Sequence, residues 1–291
     1  MINKKPENKI AILGTSPVMV ILALELVKKN SVTIYEKSKN LGGAWSLLNF
    51  KNKNIKSKTN VVVPLNQQQE QFISKLNKFL KKKVNIKKIY DKYSTLSSFK
   101  PKKIYDHSFI NLYKELLKSK IKIIKKEVTA IKANEHIFIN NKDKFSKAFI
   151  PFYSSIKKIY NNKFTIKTNY KIIKSKHFMV ILKDKFLKDF YYSENFNKVF
   201  DRAQLNNYGN FFVFNSRIRK PFKNFNKKKL MRTLSQDLKH HKVLLTKKIT
   251  YENFYRDSTQ IKILMSCNKF KNIKIIDTSN FVGSLQKLRI I

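Results

Sequence analysis

Apolar positions in the first 36 residues fall into three runs of different period. Ile10-Ala-Ile-Leu13 is a continuous run between Lys9 and Gly14 and reads as a buried strand. Residues 17–29 carry Val18, Ile21, Leu22, Leu24 and Val27 without a clean polar face, the pattern of a helix packed on a sheet. Pro17 suits its first turn. Residues 31–36 read as a second strand, and the short helical connection makes it parallel to the first. Residues 58–66 read as a strand leaving this unit, and 67–82 and 107–119 as helices. Short alternating runs between 121 and 150 predict a small antiparallel meander. Further strand candidates lie in 163–214, among them Lys171-Ile-Ile-Lys174 and the run from His177 to Leu182. Residues 226–245 read as a helix, and 273–277 as a last strand followed by a short helix.

Glycine sharpens this picture. The chain has five in 291 residues, where average usage of ~7% gives about twenty. Gly14, Gly42 and Gly43 frame the N-terminal strand–helix–strand unit, and Gly283 follows the last strand. A chain that avoids glycine keeps it where the backbone needs positive φ or close approach. A strand that ends in a Gly turn and opens a helix presents free N–H groups to an anion. An acidic residue at the end of the next strand accepts from a ribose, and Glu36 lies 22 residues beyond Gly14, near the usual ~20. Gly42-Gly43 supplies a second place where backbone can approach a phosphate.

The charge is extreme, +45, with 63 basic residues against 18 acidic ones. AT-rich codons account for abundant Lys, Asn, Ile, Phe and Tyr, but not for scarce Asp and Glu. The positive field is therefore a property of the protein, and it attracts polyanions and anionic lipid. The lysines are dispersed, with Lys81-Lys83 and Lys227-Lys229 the longest runs, which favours a solvated surface over a dedicated polyanion face. No nucleic-acid module is recognisable, which argues against nucleic acid as a partner; peripheral membrane contact through the basic surface stays open. Cys267, the one cysteine, excludes an intrachain disulfide framework and a Cys-based zinc site and fits a reducing compartment. No metal is expected: His240 and His241 adjoin and point to different faces. His177 could face core or pocket. The run Ile10–Val27 is broken by Gly14-Thr-Ser-Pro17, contains Glu25 and lacks a cleavage site, so the expectation is a cytoplasmic protein.

At these residues the chain resembles flavoproteins with a glutathione-reductase-like FAD domain, and among them the flavin amine oxidase, phytoene desaturase and UDP-galactopyranose mutase group. Glu36-Lys37-Ser-Lys-Asn-Leu-Gly42-Gly43 is similar to that group's acidic-residue-to-double-Gly motif. Lys126-Glu-Val128-Thr-Ala-Ile131 looks like its adenine-flanking strand, and Ile275-Ile-Asp277 followed by Phe281-Val-Gly283-Ser284 like its C-terminal motif. The resemblance implies FAD, with Gly14, Ser16, Gly42 and Gly43 by the pyrophosphate and Glu36, beside Lys37, on the adenosine ribose. It further implies Val128 on the adenine, Asp277 on the ribitol with Gly283 and Ser284 following, and Trp45 near the cofactor or substrate channel. Three residues depart from the pattern: Ser16 stands at the second fingerprint glycine, Met19 at the third, which sets the helix further from the strand, and Ile276 where a Gly usually precedes Asp277.

All six arginines lie beyond residue 200: Arg202, Arg217, Arg219, Arg232, Arg256 and Arg289. Since Lys supplies charge elsewhere, Arg is expected where two-point recognition of carboxylate or phosphate is needed. Arg202, Arg217, Arg219 and Arg256, with Tyr255, are the candidates for a substrate pocket facing the flavin, with local salt bridging as the alternative. The expected architecture is α/β: an FAD/NAD(P)-binding Rossmann-like domain of residues 1–60, 105–152 and 265–291, interleaved with a mixed α+β substrate domain of 61–104 and 153–264. The expected function is a flavin-dependent oxidoreductase or sugar mutase acting on a small, anionic substrate. The alternatives are a non-catalytic nucleotide-binding relative and a basic polyanion- or membrane-surface binder.

Overall fold

The computed structural model describes residues 8–56, 58–59, 62, 66–80, 85–89, 104–140, 142–183, 192–194, 196–235, 241–279 and 281–288. The chain opens with β1 (Lys9–Leu13), α1 (Pro17–Leu26), β2 (Ser31–Tyr35), a hairpin of β3 (Leu47–Phe50) and β4 (Lys53–Lys56), and α2 (Gln67–Leu80). A second strand pair, β5 (Asn85–Ile89) and β6 (Ile104–Ser108), leads to α3 (Ile110–Lys118). Short strands follow: β7 (Lys122–Ile124), β8 (Ala130–Ala133), β9 (Ile137–Ile139), β10 (Asp143–Phe145), β11 (Lys147–Pro151), β12 (Lys158–Tyr160) and β13 (Thr165–Lys167). Longer ones come next: β14 (Lys171–Leu182), β15 (Tyr192–Glu194), β16 (Phe200–Asn207) and β17 (Phe212–Ile218). The chain closes with α4 (Lys227–Arg232), β18 (Val243–Tyr255), α5 (Ser258–Met265), β19 (Ile273–Ile276) and α6 (Phe281–Leu288).

The first sheet has the order β19-β11-β1-β2-β7, and every neighbouring pair is parallel. Numbered by first appearance this is the 5-4-1-2-3 order of a dinucleotide-binding fold, with the order reversing between β1 and β11. Alternation sorts its side chains. Ile10, Ile12, Val32 and Ile34 face a helical layer that includes Met19, Leu76, Leu112 and Leu285, from four different helices. Ala11, Leu13, Ala148, Ile150, Ile273 and Ile275 face the other way, onto a second sheet of order β10-β9-β8-β12-β13. Helix α1 is apolar on all sides because it is covered on all sides, with Pro17 to Ala23 all buried. Helix α2, within the stretch expected in the second unit, places Phe72, Ile73 and Leu76 in this first core.

The third sheet is antiparallel, in the order β15-β16-β17-β14-β18. One face carries Phe178, Val180, Leu182 and Phe214 beneath Leu230 of α4. The opposite face carries Met179, Ile181 and Val213 against Ile55 of the β3–β4 hairpin.

Several local expectations are corrected. The segment 121–150 is not one meander: its first and last runs become β7 and β11 and enter the parallel sheet, β11 as a buried inner strand and β7 as a half-exposed edge. The two candidates at 171–174 and 177–182 are one strand, β14. Helix α4 stops at Arg232, Ser235 is helical again, 236–240 lie outside the described residues, and 243–245 begins β18, whose lysines hid its alternation. The predicted strand at 58–66 lies mostly outside the described residues; Lys58 and Thr59 are not in a strand, while the hairpin just before them is.

Candidate functional site

The C-terminal edge of the parallel sheet gathers the residues that the first strand–helix–strand unit singles out. Gly14 has φ +79, and its N–H donates to Tyr35 O at 2.7 Å, tying the ends of β1 and β2. A Cβ on Gly14 would meet nothing within 4 Å. Thr15 follows, 1% exposed. Its N–H and its hydroxyl donate to the same Glu36 oxygen, Oε2, at 2.9 and 2.5 Å. The same hydroxyl accepts from the Gly42 N–H at 2.7 Å. Glu36, 5% exposed, accepts with Oε1 from the Ser38 N–H at 2.7 Å. Tyr113 donates to Thr15 O at 3.2 Å, and burial, then the Glu36 charge, raises its pKa. Thr15 thus joins the fingerprint turn, the end of β2 and the double glycine.

The two glycines of that pair differ. A Cβ on Gly42, at φ +100, would stand 2.9 Å from Tyr113 Oη and 3.0 Å from Ser46 N, so Gly42 is required by packing. Gly43, at φ +51, would place a Cβ in open space. Ser16 caps α1 with no side-chain hydrogen bond, and its Oγ is buried without a partner. Met19 is fully buried among the helices and the sheet.

The other candidates sit as follows. Lys37 pairs with Glu127 at 3.0 Å and stands over the Phe254 ring at 4.8 Å. Val128 is buried, and its carbonyl accepts from Ser155 Oγ at 2.9 Å. Asp277 ends β19 and accepts with Oδ1 from Ser279 N–H and Oγ at 2.9 and 2.5 Å; its charge helps raise the pKa of Tyr153 after burial, with Tyr255 adding to the effect. Gly283 and Ser284 are buried in the first turns of α6. Trp45 packs edge-on to Phe109 at 5.4 Å and near Phe281 at 6.5 Å, so its ring belongs to an aromatic cluster between α3 and α6.

The arginines do not converge as a group. Arg202 and Arg217 are register partners on β16 and β17, and His177 of β14 completes the row beside Arg217. Arg217 Nε donates to both oxygens of Asp201, at 2.8 and 2.9 Å. Arg219 Nε donates to Asn197 O at 3.3 Å. Arg256 lies seven residues beyond Ile249, the β18 partner of His177, which at ~3.3 Å per residue is about 23 Å away. It is 2% exposed, and its Nη1 donates to Phe152 O and Ser154 O at 2.5 and 2.8 Å while its Nη2 donates to Ile156 O. Its fork holds backbone, so it is a structural clip rather than part of an exposed pocket. Tyr255 beside it is 45% exposed. Arg289 lies outside the described residues.

Composition concealed a different group. Lys58 is 5% exposed and stands 3.5 Å from the Tyr251 ring centroid. Burial lowers its pKa to about 7. His177, 4% exposed, meets the same Tyr251 ring edge-on at 5.3 Å. Its pKa falls to about 3 through burial, then the charges of Lys58 and Arg217, with Asp201 opposing and Arg202 adding to them. Gln204, Asn206 and Asn215 are buried on the same sheet face. Among 57 lysines nothing marks Lys58; its only sequence signal is its place just after the double-glycine unit. No cluster of three or more His, Cys, Asp or Glu suited to a metal occurs among the described residues, and no described helix is long and apolar enough to cross a membrane.

No protein-family model matches the sequence, and no curated protein is significantly similar to it. Solved structures do match in fold. A proposed protoporphyrinogen oxidase from Exiguobacterium sp. 255-15 aligns with TM-score 0.63 at 7% identity, over 98% of each chain. Wild-type putrescine oxidase bound to putrescine aligns with TM-score 0.61 at 10% identity, over 97% of this chain and 98% of that one. An oxidoreductase from Methanosarcina mazei aligns with TM-score 0.52 at 10% identity, over 96% and 99%. The shared architecture is the FAD/NAD(P)-binding Rossmann-like fold with an interleaved second region.

Proposed function

We propose that this chain is a flavin-dependent oxidoreductase that holds FAD along the C-terminal edge of the parallel sheet. One observation carries the reading: Gly14, Ser16, Glu36 and Gly43 stand together at the C-terminal ends of β1 and β2, with Ser16 Oγ buried and unpartnered and open space above both glycines. A buried hydroxyl without a partner is costly, and a phosphate oxygen at the start of α1 would satisfy it. The residues fit the group. Ser16 and the free N–H groups of the first turn of α1 would take the pyrophosphate, since Pro17 contributes none and Val20 N–H is the first to bond within the helix. Glu36 would take the adenosine ribose through the remaining acceptor position of Oε1. Val128 would flank the adenine and Asp277 the ribitol. Bound there, the flavin would supply hydride or electron transfer, and the chain would supply orientation and a water-poor surround. A flavin-dependent sugar mutase would use the same site. The oxidase and oxidoreductase relatives in fold support the redox reading over it.

A second reading is a nucleotide-binding relative without catalysis. Thr15 favours it, because its two donations fill Glu36 Oε2, one of the two oxygens a ribose would use. Flavin absorbance of the purified protein, and quenching of FAD fluorescence on titration into it, separates the two. Protein that neither carries nor takes up FAD removes the first reading. The partner proposed is a small molecule, with lipid contact through the lysine surface as a weaker addition. The buried Cys267, its thiol pushed up to about 12 by burial, is inert and suits the cytoplasm.

A further inference from the structure

Outside the parallel sheet, one polar surface is built and left unsatisfied. Its floor is the face of the antiparallel sheet that carries Arg202 and Gln204 on β16, Arg217 and Asn215 on β17, His177 on β14 and Tyr251 on β18. The chain leaving β4 crosses it: Asn215 Nδ2 donates to Lys56 O at 3.0 Å, and Lys56 N–H donates to the Tyr208 hydroxyl at 2.7 Å. Two residues on, Lys58 is buried over Tyr251 of this floor, and Thr59 beside it in the chain is buried as well. Among the described residues Lys58 has no hydrogen-bond or ion-pair partner, only the Tyr251 ring. Thr59 Oγ1, His177 Nδ1, Asn206 Nδ2 and Asn215 Oδ1 are also buried without partners.

So many unpartnered buried polar atoms in one place are rare in folded proteins, where about nine in ten find partners. The Lys58 ammonium beside them is partly compensated by the face of the Tyr251 ring, and its three donors suit an anion. The charges bearing on His177 are three positive, from Lys58, Arg217 and Arg202, and one negative, from Asp201, both of whose oxygens Arg217 takes. The surface therefore has excess positive potential and spare donors, and its apolar border is the part-buried Ile249 of β18, since Met179 and Ile181 are already covered by the β3–β4 hairpin.

We propose that this surface is the substrate site, and that it takes a small carboxylate whose acidic group is held by Lys58 and Thr59 while its apolar part lies against Ile249 and Tyr251 of β18. The carboxylate as a redox substrate rests on the flavin reading above; the carboxylate site itself does not. A bound carboxylate pairs with the Lys58 ammonium, so a group otherwise held near neutrality becomes firmly charged when the site fills. Binding above neutral pH therefore takes up a proton. The other charged or titratable described groups around this corner are His177, the Arg217, Arg202 and Asp201 charges that bear on it, and Tyr251 beneath Lys58, and of these only Asp201 opposes the anion.

The test is reductive methylation of the full chain with formaldehyde and cyanoborohydride across pH, read by peptide mass spectrometry. Lys58 should label with a midpoint near pH 7, ahead of the surface lysines, which keep their protons there. Sodium hexanoate should abolish Lys58 labelling, and hexan-1-ol, with the same tail, should leave it unchanged. Equal labelling with and without hexanoate overturns the proposal, as does equal protection by the alcohol. In parallel, hexanoate should raise the melting temperature of the wild type and lose that effect in Lys58→Met; the same shift in both would assign hexanoate to the lysine surface and overturn the site. Flavin absorbance is read from the same samples. Flavin-bearing protein without hexanoate protection defeats this proposal alone, while protected protein that takes up no FAD upholds the carboxylate site and defeats the cofactor reading.

Discussion

Thr15 donates twice to a single oxygen of Glu36, from its backbone and from its side chain, while its hydroxyl accepts from Gly42. The carboxylate that resembles a ribose ligand is therefore also the brace of the turn that surrounds it. Three N–H or O–H donors converge on Glu36, and both of its oxygens are used.

Glu36→Gln should consequently damage the protein about as much as Glu36→Ala. Whichever way the amide turns, its NH2 faces a donor, either Ser38 N–H or the Thr15 pair. Each lost charge-assisted bond is worth ~1.5–3 kcal/mol, so both variants should melt well below wild type, and Glu36→Ala should weaken FAD binding by a similar amount. Denaturant unfolding and flavin titration check the two effects separately. A Glu36→Gln protein of wild-type stability would show that the brace is not formed.

Gly42 and Gly43 should respond differently to alanine. Gly42→Ala forces a Cβ against Tyr113 Oη and Ser46 N at positive φ, and should cost several kcal/mol of stability. Gly43→Ala meets open space and should cost only the ~1–2 kcal/mol of a left-handed backbone, yet it should lower FAD affinity by filling the approach to the phosphates. Equal loss of stability in both variants would contradict this division.

Lys58→Met should be more stable than wild type in acid and lose its advantage in base. Burial lowers the folded-state pKa from 10.5 to about 7, so between these values the unfolded chain binds the extra proton. Wild-type stability relative to the variant must then rise as pH climbs through that window. A shift of this size corresponds to an upper limit of ~5 kcal/mol, fully present below pH 7. Paired urea titrations at several pH values measure the difference and cancel the effect of the other lysines. A pH-independent difference would mean that Lys58 is solvated.

Arg256→Lys should destabilise the fold by ~2–4 kcal/mol, because an ammonium cannot reach the three carbonyls that the guanidinium spans from a buried position. Arg217→Lys, on a part-exposed fork to Asp201, should cost less than ~1 kcal/mol. Neither should change FAD affinity directly. A selective loss of flavin from folded Arg256→Lys would return Arg256 to the site.

The Rossmann-like half was legible because few sequences satisfy its demands. Gly14, Glu36 and the apolar runs around them fix β1, α1 and β2 by periodicity and spacing alone. The fate of 121–150 was not legible, since short apolar runs do not reveal their partners: Lys122–Ile124 and Lys147–Pro151 look like the strands between them but join a different sheet. Arginine position along the chain suggested a pocket, yet Arg256 and Arg217 lie far apart on the sheet and hold different groups. The Lys58 group was hidden for a simpler reason. Burial, which makes a lysine chemically unusual, leaves no mark on the residue name when lysine is everywhere.

The two attachments of the β14–β18 pair restrict how the molecule can move. At one end Arg256 fastens the pair to the turn after β11, and Lys37 reaches over Phe254 from the edge of the parallel sheet. Toward the other, the β3–β4 hairpin lies on the face shared with β17. A body held at two separated places can turn only about the line that joins them, so the freely directed hinge opening common where ligands lie between lobes is restricted here. Entry of small molecules should then depend on local rearrangement of side chains and loops together with that single rotation.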